Sequence, residues 1–149
     1  MKNLTKTFYD SSSTITIEHD EYGVLSFEYI SPGHAGTKIE MATDRNFTVS
    51  GLCDFFREAK HSENGLKKYF HIDNGGFTFE VKNIQGSKDK MITIKSSFFG
   101  YTTTEIAIKT AYSFTIENII LALEDMHFSL MKNKEYKDWY DAWFTNVAK

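Results

Sequence analysis

Apolar and polar residues alternate along most of the N-terminal part of this chain. Residues 14–18 read Thr-Ile-Thr-Ile-Glu, which predicts a half-buried strand with Ile15 and Ile17 turned inward. Residues 24–30 repeat the signal, with Leu25, Phe27 and Tyr29 on one face. The polar segment between them, residues 19–23, predicts a hairpin loop. Pro32, Gly33 and Gly36 mark an irregular loop, after which Ile39 and Met41 resume the alternation over residues 37–43. The period then changes. Leu52, Phe55, Phe56 and Ala59 fall on one helical face and predict a short helix, with Ser50 as N-cap and Gly65 beyond its end. Residues 69–72 and 77–81 flank Asp73-Asn74-Gly75-Gly76 and predict a second hairpin, whose Asn-Gly supplies positive φ. A turn over residues 85–90 leads into a strand over 91–95, and residues 98–101 interrupt the pattern. The longest strand follows, with Ile106, Ile108, Tyr112 and Phe114 on one face.

The last third changes to helical spacing. Ile116, Ile119, Ile120, Leu123 and Leu130 form one stripe, with Thr115 as N-cap. A break is expected at residues 132–134. Tyr136, Trp139, Tyr140, Trp143, Phe144 and Val147 then form a second apolar face. The sequence reads as free of internal repeats and low-complexity tracts. Short turns between strands imply antiparallel pairing, because a parallel pair needs a long crossover. The expected architecture is a single α+β domain over residues 1–149. It has a mainly antiparallel β-sheet, one inserted helix and two C-terminal amphipathic helices.

Composition adds partner and compartment to this picture. A chain of 149 residues with 41% hydrophobic residues can bury a core without staples. Its net charge of -3 argues against direct nucleic-acid binding, which needs a basic footprint. Cys53 is the one cysteine and can form no internal disulfide. No signal-peptide-like run and no bilayer-length apolar stretch is read, so a cytoplasmic protein without membrane association is expected.

The candidate chemistry is sparse. His19, His34, His61, His71 and His127 show no metal-ligand spacing. Cys53, near a helix start, is either a nucleophile with a lowered pKa or a small buried residue. Gly75 and Gly76 do not lead into a helix, as a phosphate cradle requires. The carboxylate pairs Asp20-Glu21 and Glu124-Asp125 are adjacent in sequence and do not establish an acid and a base facing one cleft. Lys82, Lys88, Lys90 and Lys95 suit either a phosphate-binding patch or a protected sheet edge. No catalytic residue, metal ligand or cofactor site is assigned, and the chain is not read as an enzyme.

Two features suggest a protein partner. Asp10, Glu18, Asp20, Glu21 and Glu28 lie in a segment without Lys or Arg, and such an acidic patch would steer a basic partner. The Tyr136 stripe carries Trp139 and Trp143, residue types that dominate interface hot spots, although such a stripe can equally pack on its own core. Glu18, Asp20, Glu21, Glu28, Trp139 and Trp143 are therefore the candidate partner-binding residues. Monomer and homodimer both remain open.

Residues 52–130 resemble the WapI-type immunity proteins of bacterial polymorphic toxin systems. The similarity lies in a helix with Asp54-Phe55-Phe56, strands over 69–81, 91–95 and 105–114, and a helix opening Thr115-Ile116-Glu117. The resemblance implies a small cytoplasmic β-rich domain that binds and inactivates a cognate toxin, with contact residues that vary between pairs. The aromatic helix after Lys134 lies outside it. Alternative expectations are a phage or mobile-element inhibitor of a host defence enzyme, or a small-ligand-binding α+β domain.

Overall fold

The computed structural model describes residues 3–33 and 36–144, so the positions of His34 and Val147 lie outside the described residues. The fold is α+β, with eight strands and three helices. β1 (Leu4–Tyr9), β2 (Thr14–His19), β3 (Leu25–Ile30) and β4 (Thr37–Met41) form one antiparallel meander. α1 (Val49–Lys60) follows. β5 (Leu66–Ile72), β6 (Gly75–Asn83), β7 (Lys90–Phe98) and β8 (Tyr101–Lys109) form a second. α2 (Ile116–Met131) and α3 (Lys134–Phe144) close the described chain. The strands are thus divided between two four-stranded sheets, not collected in one.

This order corrects the reading of the chain as repeat-free. Four antiparallel strands and a helix occur twice, and the entry into the helix is the same both times. Asp44 bridges Phe47, and Ala111 bridges Phe114. Thr48 and Thr115 then cap the helices, their hydroxyls accepting from the amides of Gly51 at 2.9 Å and Asn118 at 3.1 Å. The capping threonines even share a conformation, with φ of -129° and -125°. Thr48, not Ser50, is therefore the N-cap of α1; Ser50 is already helical.

Each helix packs against the sheet of the other half. Phe47, just before α1, meets Phe70, Phe77 and Phe79 of the second sheet. Phe55 and Phe56 of α1 also reach Phe79. In return, Phe114 meets Phe8 of β1, and Asp125 of α2 pairs with Lys6 of β1 at 3.1 Å. The main chains join there too: the Tyr9 amide donates to the Ser113 hydroxyl at 2.7 Å, and the Ser113 amide donates to the Tyr9 carbonyl at 3.2 Å. α1 and α2 lie against each other, tied at their surface by Arg57 to Glu124 at 2.8 Å. The inner faces of the two sheets meet as well, with the Phe27 and Phe79 rings 5.9 Å apart. The result is one continuous buried cluster.

Other boundaries shift for local reasons. β1 adds a strand that the sequence reading did not assign; its apolar positions Leu4 and Phe8 face inward, with Lys6 between them. β8 stops at Lys109, where the alternation would carry on to Phe114. Tyr112 turns the chain at φ 52° and is exposed, while Phe114 is buried. In the second hairpin Ile72 pairs with Gly75, so the turn residues are Asp73 and Asn74, with Asn74 at φ 62°. Gly75 belongs to the strand, where a Cβ would come within 2.1 Å of the Ser97 carbonyl oxygen.

The equivalence of the two helix entries is testable. Thr48→Ala and Thr115→Ala each remove a hydroxyl that satisfies a first-turn amide, at a cost of ~1 kcal/mol apiece. Urea unfolding of both variants should show losses of similar size. No loss in either would contradict the capping assignment.

Candidate partner-binding cleft

The tip of the β2–β3 hairpin is built around Asp20. Its Oδ1 accepts from the amides of Tyr22 and Val24, each at 2.9 Å. Asp20 is thus committed to holding its own loop, with Glu21 and Tyr22 carried outward on it. His19, beneath the loop, is fully buried, and its Nδ1 lies 2.8 Å from the Asp20 carbonyl oxygen.

α3 begins beside this tip, and Asn133 connects the two. Its Oδ1 accepts from the amides of Glu135 at 3.0 Å and Tyr136 at 3.3 Å, which caps the helix. Its Nδ2 donates to the Glu21 carbonyl at 3.4 Å. One side chain therefore starts α3 and fixes it to a loop distant in sequence. Gly23 completes the fit. At φ 86° it has no Cβ, and one placed there would come within 2.8 Å of the Tyr136 ring and of the Thr43 hydroxyl.

Between these elements lies a cleft of about 700 Å³, lined by Glu21, Tyr22, Thr43, Asn133, Glu135 and Trp139, with Lys134 and Tyr136 completing its wall. The Tyr22 phenol is raised above its ordinary pKa chiefly by the charge of Glu21, with Asp20 and Glu135 adding to it. The Lys134 ammonium is paired along its own helix with Asp138 at 2.9 Å. Tyr136 is the buried anchor of α3, and burial pushes its phenol up to about 12. Trp139 is half-buried, and Tyr140 lies against His127 of α2 at 5.0 Å between ring centroids. Trp143 is 47% exposed and carries the Arg45 guanidinium over its ring at 5.3 Å.

The candidate residues from sequence therefore divide. Glu21 and Trp139 line the cleft together. Trp143 stands one turn farther along α3, and Asp20 supports the loop. Glu18 and Glu28 project from the outer face of the first sheet, where Glu18 accepts from the Thr5 hydroxyl at 2.6 Å. The sequence reading missed Tyr22, Thr43, Asn133 and Glu135. Of these only Asn133 carried a local signal, as a capping residue type directly before an aromatic helix.

Cys53 and three of the candidate lysines take structural roles. Cys53 is buried between α1 and α2, its Sγ 3.6 Å from the Ile120 carbonyl oxygen. Burial pushes its thiol up to about 11, so it is a thiol and not a thiolate at neutral pH. Lys82 and Lys95 pair with Glu80 and Glu105, and Lys90 with the Asn83 side chain. Among the described residues no group of three or more His, Cys, Asp or Glu is placed to hold a metal ion, and no helix is long and apolar enough to cross a membrane.

Asn133→Ala removes both the cap and the clip, at ~1 kcal/mol for the cap alone. The variant should keep its core while amides of α3 exchange faster with solvent. Unchanged exchange in α3 would show that Asn133 does not hold the cleft together. Comparison of the chain with protein-family models and with curated proteins finds no match.

Proposed function

We propose that this chain is an inhibitor that binds a cognate bacterial toxin domain in the cytoplasm and occludes its active or substrate site. The observation that carries this reading is the acidic, aromatic cleft beside the β2–β3 tip. Glu21, Glu135 and the neighbouring Asp20 gather negative charge beside exposed Tyr22 and half-buried Trp139. Charge concentrated in this way speeds encounter with a basic surface, and aromatic side chains supply contact area once the partner has docked. The outer face of the first sheet adds Glu18, Glu28 and Glu40 against one cation, Lys38. A continuous buried core beside the cleft suits this role, because an inhibitor gains affinity from a preformed surface. A nuclease, whose own substrate surface must be basic, is the toxin class that this charge pattern fits best.

A second reading is favoured by the size of the cleft. About 700 Å³ falls within the range of small-molecule sites. On that reading the chain would be stabilised by a low-molecular-weight ligand without any protein partner.

Co-expression with the toxin encoded beside its gene separates the two. The inhibitor reading predicts restored growth and an isolable complex whose association slows as salt is raised. Absence of both rescue and complex would falsify it.

A further inference from the structure

The geometry points to a specific occupant for the cleft: one arginine side chain of the partner, its guanidinium laid on Trp139 and held between the Glu21 and Glu135 carboxylates. This inference rests on the inhibitor reading for the source of the arginine, but the chemistry of the cleft can be measured without it.

The argument begins with what α3 does with its own tryptophans. Trp143 already carries a guanidinium, that of Arg45, 5.3 Å from its ring centroid. Trp139 lies one helical turn earlier and lines the cleft, yet among the described residues no cation lies over its ring. The ring also meets Tyr136 and Phe144, with ring centroids 5.6 Å and 6.0 Å away, so the indole is held in place by its own helix. A planar cation is the group that such a ring attracts.

Charge selects the same occupant. Glu21 and Glu135 line the cleft, and Asp20 belongs to the same loop as Glu21. Among the described residues the one cation in the lining, Lys134, is drawn to Asp138. No arginine or lysine of the described chain forms an ion pair with Glu21 or Glu135. Two carboxylates in one lining with an aromatic side chain match the donors at the edges of a guanidinium, and a compact ammonium would use fewer of them. The clip from Asn133 to Glu21 holds the two walls of the cleft together before anything binds.

The test uses the full chain with Trp143→Phe, which leaves Trp139 as the sole indole. Acetyl-Gly-Arg-Gly-amide is titrated while Trp139 fluorescence is followed, and the same peptides carrying citrulline or lysine serve as controls. The arginine peptide should give a saturable change, the lysine peptide a weaker one, and the citrulline peptide none at the same concentrations. Glu21→Gln with Glu135→Gln should weaken the arginine peptide roughly tenfold, as expected for two partly exposed ion pairs. Equal binding of arginine and citrulline peptides, or no effect of the double variant, overturns the assignment. Lysine binding as tight as arginine overturns the choice of occupant.

The same double variant in the toxin complex separates this inference from the one it rests on. A complex that forms equally well with the double variant removes the cleft from the interface and leaves the inhibitor reading standing. Arginine-peptide binding without any toxin complex does the reverse.

Discussion

Phe79 on β6 is the point through which both halves of this protein are coupled. Its ring meets Phe27 from the first sheet, Phe47, Phe55 and Phe56 from the first helix and its approach, and Phe70 from the neighbouring strand. Every one of these side chains is buried. Aromatic rings of this kind bury large areas and prefer tilted or edge-on contacts, which several of these pairs show. Because α1 reaches the sheet that follows it and α2 returns to β1, each half is joined to the other through its helix as well as through the Phe27 and Phe79 rings. Burial of the two sheets is thereby made interdependent.

That crossing also explains where the variable part of the molecule can lie. With four strands and a helix already complete in each half, α3 is an addition to the repeated element order. It buries one side chain, Tyr136, and leaves Trp143 and Phe144 exposed. Its position is fixed at its start by Asn133 and by the space above Gly23. The cleft therefore forms where an appended helix meets a hairpin tip of the first sheet. A surface made in this way can change its charge and shape without disturbing the aromatic core.

Much of the fold was legible in the alternation itself. Ile15 and Ile17, Leu25 and Phe27, and Ile39 and Met41 all face inward as their spacing required, and Thr115 is the cap that its position before Ile116 predicted. The turn at Tyr112 was not legible, because the alternation runs on unbroken and no glycine or proline marks the left-handed residue. Thr48 was obscured by Ser50, a residue of the same capping type two positions later. The duplication was hidden because the two helix entries share a pattern and few identities: Phe47-Thr48-Val49 answers Phe114-Thr115-Ile116, while the helices beyond diverge. The cleft was the least legible feature. It joins Glu21 to Asn133 across the whole intervening fold, and only their tertiary approach gives either residue a role in it.

The central claim is that neither half can complete its core without the helix of the other. Expressing residues 1–62 and 63–149 as separate chains tests it most directly, since the cut falls between α1 and β5. Each fragment alone should lack a cooperative unfolding transition, and an equimolar mixture should recover one with a native-like near-ultraviolet spectrum. A fragment that folds cooperatively on its own would contradict the account.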